Sequence, residues 1–386
     1  MSAVLPSTAA RPARPAAGTG TVVEVLRDIA SLQAIVPQWE DLARDAAEPN
    51  PFYEHWMLIP ALQAYGAGGL RCIAVWQDGT LAAMIPMEER RLRGLPLRAL
   101  HSYRHRNMLT ATPLVRRKWM GKVVAALLDK TPARALQFDW LPVAGAFYGA
   151  LGDALAARAL PWLATDAYER AVLLCDRDPR ERYNSNTRNN LRRCQAKLDA
   201  IGSVTPARLS PGDDLDAWTR DFMRLEASGW KGRAGTALSC REDDRRFVAA
   251  VLPEAFRRGR LLLTGLDLDG RPLARHVILR AGEGAFSFKL AYDEAHASAS
   301  PGLLGEVENV RQCLETPGLR WLDSNTARES SGYWRVWKDR MAMHRVAVGL
   351  HGAGRLTVAA LPLLRLARQL LRPAQRSPAE PSSPSR

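Results

Sequence analysis

The sequence predicts an α/β protein of two tandem lobes, each a mixed, mainly antiparallel sheet flanked by helices. Three observations predict it. Apolar residues at helical spacing alternate along the chain with period-2 runs, the order of a layered α/β protein. Two hairpins correspond, CIAVWQDGTLAAMIPM at 72–87 and TGLDLDGRPLARHVIL at 264–279. Each turns on Asp-Gly between apolar runs, a strong hairpin signal. After each hairpin come a third strand, a helix and a further strand, so one unit is read twice.

The first lobe is predicted over 21–168. It opens with a helix near Ile29–Ala46, with Leu32, Ile35, Val36, Trp39 and Leu42 on one face. Pro51-Phe52 interrupts before a short helix at His55–Ala64. Strands follow at Leu70–Gln77, Thr80–Met87 and Leu97–Tyr103, then a helix at Lys118–Leu128 and a strand at Ala135–Trp140. A helix at Ala144–Ala157 leads to a strand at Trp162–Thr165. The second lobe is predicted over 169–350. It reads as a strand at Ala171–Cys175 and helices at Pro179–Ala200, Asp214–Ser228 and Arg241–Arg257. Strands then run Arg260–Leu266, Pro272–Leu279 and Ala285–Tyr292, followed by a helix from Pro301 and a strand at Arg320–Asp323. Residues 1–20 and the end of 351–386 are rich in Pro, Ser and Ala and read as disordered tails.

With 386 residues and 47% hydrophobic content, the chain is long enough for two domains with a substantial core. A net charge of +14 favours an anionic partner. Nucleic acid, anionic lipid and a CoA-type ligand share that chemistry. Cysteines at 72, 175, 194, 240 and 313 are odd in number and form no C-x-x-C pair. That argues against a disulfide framework or zinc site and fits a reducing, cytoplasmic compartment. No run has the length of a membrane span, and residues 1–20 lack the apolar core of a secretory signal.

The candidate site centres on FSFKLAYDEAHASASPGLLGEV at 286–307, read as strand, polar loop and helix. Phe286, Phe288 and Leu290 alternate with Ser287, Lys289 and Ala291, as in a half-buried strand. Ser300 can cap the next helix, Pro301 fits its first turn, and Gly302 allows close approach of a ligand. Free N–H groups and the positive dipole end of such a helix suit a phosphate. Arg188, Arg192, Arg193 and Lys197 form i,i+4 pairs on a helix, either an anion-holding face or a solvated one. Trp230 and Lys231, before Gly232 and Gly235, suit a loop closing over a ligand or a Trp plugging two helices. Tyr333, Trp334 and Trp337 read as a half-buried element edge. Leu356–Leu371, with Arg365, Arg368 and Arg372, makes a basic amphipathic helix that rests on an anionic membrane or packs on the body.

Four blocks, SNTRNNLRRCQAKLDAIG (185–202), FMRLEASGWKGRAGTAL (222–238), KLAYDEAHASASPGLL (289–304) and LDSNTARESSGYWRVWKDR (322–340), resemble the CelD/BcsL-like acetyltransferases of the GNAT superfamily. These are relatives of the FemAB group with tandem GNAT-like halves. The resemblance spans most of 171–347. It implies an acyl donor, usually acetyl-CoA, in the C-terminal half, with no metal, and an N-terminal half shaping the acceptor groove. The donor would lie against Lys289, Ser300, Pro301, Gly302 and Leu303. The acceptor would meet the basic helix, Trp230, Lys231, Asp323 and Arg328. Where the fourth and fifth strands splay, Tyr292, Asp293 and His296 are the acid and base candidates; Asp293 also reads as a turn residue and His296 as an exposed loop histidine. The acceptor implied is a saccharide or cell-envelope precursor, and nucleic acid is not the expected partner. The Gly-rich loop R/Q-x-x-G-x-G/A of simple GNAT enzymes is missing, with Ser300-Pro301-Gly302 in its place. FemAB relatives take an aminoacyl group from tRNA, so that donor is the alternative. A non-catalytic accessory protein of polysaccharide biosynthesis is the other.

Overall fold

The computed structural model describes residues 20–326 and 331–370. Arg328 and the predicted tails, Gly20 apart, lie outside them. The first half runs β1 (Thr21–Leu26), α1 (Ile29–Ala34), α2 (Val36–Arg44), α3 (His55–Tyr65), β2 (Cys72–Gln77), β3 (Thr80–Ile85), β4 (Met87–Arg91), β5 (Arg98–Ser102), β6 (Leu114–Val115), α4 (Met120–Lys130), β7 (Ala135–Pro142), α5 (Ala146–Ala157) and β8 (Trp162–Leu174). The second runs α6 (Ser185–Asp199), β9 (Val204–Arg208), α7 (Leu215–Ser228), α8 (Trp230–Arg233), α9 (Glu242–Arg257), β10 (Leu261–Leu268), β11 (Arg271–Ala281), β12 (Gly284–Tyr292), α10 (Pro301–Leu314), β13 (Trp321–Asp323), α11 (Ser331–Val336), β14 (Asp339–Gly349) and α12 (Ala353–Leu370).

Both Asp-Gly steps make the turn their composition favours. Asp78 and Gly79 lie at φ 49° and 76°, Asp269 and Gly270 at 48° and 73°. Two successive left-handed residues match the twist of paired strands. β2 and β3 join a four-stranded sheet, order β1-β2-β3-β6; β10 and β11 join a ten-stranded one, order β4-β5-β7-β14-β8-β13-β12-β11-β10-β9. The parallel pairs among the described residues are β5 with β7 and β12 with β13. They occupy equivalent places in the two repeats, each reached through a helix (α4 or α10). The repeat predicted from the hairpins is therefore present in the topology.

The seam between lobes differs from the sequence expectation. Two strands were expected at Trp162–Thr165 and Ala171–Cys175; one strand, β8, runs through both. Its polar middle reads as a turn, but there it bulges against β14, with Asp166 at φ 51°. β14, absent from the sequence reading, lies between β7 and β8 and pairs with both. The C-terminal strand thus completes the sheet of the first half. A shared apolar core reinforces the seam: the Phe52 ring centroid stands 6.1 Å from Phe286 and 6.4 Å from Phe288. Inside the seam Arg170 on β8 is wholly buried and donates to Asp323 on β13 at 2.9 Å.

Candidate active site

β12 and β13 pair over three registers only, Gly284↔Trp321, Ala285↔Leu322 and Phe286↔Asp323. β13 stops at Asp323, while β12 continues to Tyr292. From Ser287 onward the inner edge of β12 has no strand partner among the described residues, and a gap opens between the strands. On its other edge β12 stays paired with β11, with one irregularity: Val277 faces Lys289 and Ile278 faces Ser287. Phe288 is the extra residue of a bulge, which locally resets the alternation. Phe286, Phe288 and Ala291 point into the core shared with the first lobe. Leu290 and Tyr292 line a cavity beside α10. The sequence placed Leu290 on the face of Phe286 and Phe288; the bulge turns it to the other.

That cavity has a volume of about 210 Å³ and is lined by Leu290, Tyr292, Ala297, Ser300, Gly302, Leu303, Glu306 and Tyr333. Pro301 opens α10 as predicted. Ser300 does not cap it through its side chain: it takes a left-handed conformation, φ 51°, and makes no side-chain cap bond. Its carbonyl instead accepts from the amides of Leu303 and Leu304, at 2.9 and 3.2 Å. The Gly302 amide is left without a backbone acceptor. Gly302 has a steric role too. A Cβ there would stand 2.7 Å from Cδ1 of Tyr292, so only glycine lets that ring lie against the helix start. The first turn of α10 carries no acidic residue. Lys197, on α6, donates to the carbonyl of Ser298 at 2.8 Å, which brings one cation of the basic helix to this loop.

The cavity also holds groups that the sequence reading did not assign. Glu306, 2% exposed, accepts from Nε1 of Trp337 at 2.7 Å and from Nδ2 of Asn309 at 3.0 Å. Its second oxygen stands 3.1 Å from Nδ1 of the buried His276 and makes no hydrogen bond. Tyr333 shares a 2.6 Å hydrogen bond with Ser287, and burial pushes its phenol above the ordinary range. The signal for Glu306 was a lone carboxylate on the apolar stripe of α10. Tyr333 was noticed, but only as an element edge.

Lys289 lies on the opposite face of β12 from this cavity, because the bulge puts it beside Phe288. Its ammonium is 5.6 Å from the Phe288 ring centroid. It makes no ion pair or hydrogen bond among the described residues. Burial, and then the nearby Lys231 ammonium, pull its pKa down to about 8. Lys231 is itself engaged, by Glu226 at 3.0 Å and the Leu290 carbonyl at 2.9 Å. His105 of the first lobe is also near; burial and the Lys289 charge hold it neutral, down to about 3. Lys289 is thus a desolvated, unengaged amine between the lobes, next to the strand gap.

The remaining predicted residues fall into four groups. Asp293 accepts from the amide of Ala295 at 2.9 Å and stands 3.3 Å from Nδ1 of His296, so the two tie up the loop after β12. Neither lines the cavity, whereas Tyr292 does. Asp323 is engaged by Arg170 and by the Asn325 amide at 2.7 Å. Arg188 donates to the Tyr183 carbonyl and Arg193 to Asn190, while Arg192 is exposed. Trp230 is 54% exposed beside Lys231, and its amide donates to Glu294 at 2.6 Å.

Residues 185–359 match the acetyltransferase (GNAT) domain family. The match covers the strand gap, α10 and β14. The chain is similar in fold to a solved structure of FemX, at 11% identity and a TM-score of 0.54, over 86% of this chain and 98% of that one. A conserved protein of unknown function from Bacteroides thetaiotaomicron gives 11% identity and a TM-score of 0.53, over 86% and 100%. A tandem GNAT protein from the clavulanic acid biosynthesis pathway aligns over 86% and 99%, at 16% identity and a TM-score of 0.42. No curated protein matches. The duplicated topology and the likeness in fold to FemX give two tandem lobes of mixed, mainly antiparallel sheet flanked by helices, and the GNAT match lies on the second.

Proposed function

We propose that this protein is a CelD/BcsL-like acyltransferase of the cytoplasm. It would move an acetyl or similar group from CoA to an amine or hydroxyl of a saccharide or cell-envelope precursor. The observation that carries this reading is the gap between β12 and β13, whose open strand edge leads to the α10 cavity. A cavity of about 210 Å³ suits the slender arm of CoA rather than the whole molecule. The Gly302 amide and Lys197 would meet its phosphates. The acceptor would enter from the Lys289 face, between the lobes.

In this reading the chemistry is a direct attack. The acceptor nitrogen or oxygen bonds to the thioester carbonyl carbon, the C–S bond breaks, and the acceptor's proton goes to a base. A neutral Lys289 amine can take that proton, since its pKa lies near working pH. The departing thiolate needs a proton, and the buried Tyr333 hydroxyl, protonated at any working pH, can give one. The second reading is aminoacyl transfer from charged tRNA, favoured by the likeness in fold to FemX.

Calorimetry with acetyl-CoA, free CoA and aminoacyl-tRNA separates the two. Acetyl-CoA should bind, and Gly302→Val should weaken it about tenfold or more, since even the first added carbon drives the Tyr292 ring into the cavity. Binding of aminoacyl-tRNA alone would replace the first reading with the second. Unchanged acetyl-CoA affinity in Gly302→Val would move the donor away from α10.

A further inference from the structure

The two sheets of the first lobe meet where Leu70 bridges to Glu88. Beside that bridge, residues of both sheets line a cleft of about 530 Å³, larger than the α10 cavity. One wall is the end of β1 and the approach to β2, with Val25, Arg27 and Arg71. The other is β4 and β5, with Glu89, Arg98 and Leu100. The loop from α4 to β7 closes it with Pro132 and Arg134. Arg98 and Leu100 share a face of β5, and Glu89 pairs directly with Leu100. Ala99 points to the other face, where α12 packs through Val358 and Leu361. The basic helix expected near the C-terminus therefore lies on the body and takes no part in the cleft; the side chains of Arg368 and Arg372 lie outside the described residues.

Four guanidinium groups from four chain segments reach this cleft, against the one carboxylate of Glu89. Glu89 pairs with Arg71 at 3.4 Å and with Arg98 at 2.9 Å. Arg27 and Arg134 make no ion pair or side-chain hydrogen bond among the described residues. Asp28, next to Arg27 in the chain, is spent on the Ser31 amide as the cap of α1. Leu26 facing Cys72 is the last pair of β1 and β2, so Arg27 and Arg71 follow side by side. Like charges in that relation repel. The cleft thus gathers an excess of positive charge around a space that no side chain fills, and an anion there would relieve the repulsion.

We infer that this cleft binds a diphosphate ester, with its phosphates among the four arginines and its organic part on the apolar wall of Val25, Leu100 and the prolines. Guanidinium forks suit phosphate oxygens two at a time. Two phosphates answer the charge excess more fully than one carboxylate would. Bare pyrophosphate would leave Val25, Leu100, Pro96 and Pro132 in contact with water, whereas a nucleoside or a prenyl chain would cover them. β5 is five strands from β12 in the sheet order, about 24 Å at the usual strand spacing. The site is therefore separate from the strand gap, and the inference does not rest on acyl transfer.

The test is calorimetry on the full chain with ADP, geranyl diphosphate, inorganic pyrophosphate and adenosine. At least one of the two esters should bind about tenfold or more tightly than pyrophosphate, and less tightly as salt rises. Which ester binds tells whether the organic part is a nucleoside or a prenyl chain. Adenosine should not bind. Arg27→Gln/Arg134→Gln should weaken the ester about tenfold or more. Both side chains are exposed, so the melting curve should not move. Gly302→Val, on α10, should leave ester binding unchanged. Binding of neither ester overturns the inference, as does pyrophosphate or adenosine binding as tightly as the esters. Ester affinity unchanged in the arginine variant also overturns it. So does ester binding that Gly302→Val abolishes, which would assign the ester to the donor cavity.

Discussion

Asp323→Leu is expected to lower the free energy of unfolding by about 3–5 kcal/mol. The reason is what it leaves behind. The Arg170 side chain is 0% exposed and faces Asp323 at 2.9 Å. Its other acceptors are neutral: Thr110 at 3.0 Å, the Leu109 carbonyl and the Tyr168 hydroxyl at 2.6 Å. Without the carboxylate a guanidinium stays buried and uncompensated. The paired variant Arg170→Met/Asp323→Leu should recover most of the loss, because a buried ion pair contributes little over an apolar pair of similar volume. Urea titration followed by tryptophan fluorescence measures both. Should Asp323→Leu unfold within about 1 kcal/mol of wild type, water reaches Arg170 and the seam is looser than its burial implies. The effect bears on function as well, since Asp323 ends β13 where the strand gap begins.

Features encoded locally were legible in the sequence, and features set by a distant partner were not. The Asp-Gly turns, the helix start at Pro301 and the strand before it need only neighbouring residues, and each stands where the sequence puts it. β14 was missed because DRMAMHRVAVG mixes charge into its alternation, and its place is decided by β7 and β8. The Phe288 bulge exists only relative to Val277 and Ile278 on β11. Without it, simple alternation sends Lys289 toward α10. Glu306 and His276 meet across an element boundary, at 3.1 Å, that sequence order does not reveal. Asp293 and His296, three residues apart, were conspicuous for the same local reason that lets them tie up their own loop.

Lys289→Met is expected to lower turnover about a hundredfold to ten-thousandfold, the usual contribution of a general base. Acetyl-CoA affinity should stay within a few-fold, because the donor cavity is on the other face of β12. Lys289→Arg should be no better, since a guanidinium cannot give up its proton to act as base. The pH dependence follows from the sign of the shift. The amine is active when neutral, so the wild-type rate should rise with pH and level off above about 8. Stability should follow the same group. Its pKa is about 8 in the folded chain against an ordinary 10.5. Between those values the unfolded chain binds more protons, so stability should climb as pH rises through that window and be lowest below it. Lys289→Met lacks the climb and should be more stable than wild type near neutral pH, by at most about 3 kcal/mol. The pairing of lost turnover with gained stability is what a desolvated base predicts and a packing residue does not. Turnover within a few-fold of wild type, measured as thiol release with a panel of amino sugars and alkylamines, would remove Lys289 from the chemistry. Catalysis would then rest on positioning in the strand gap.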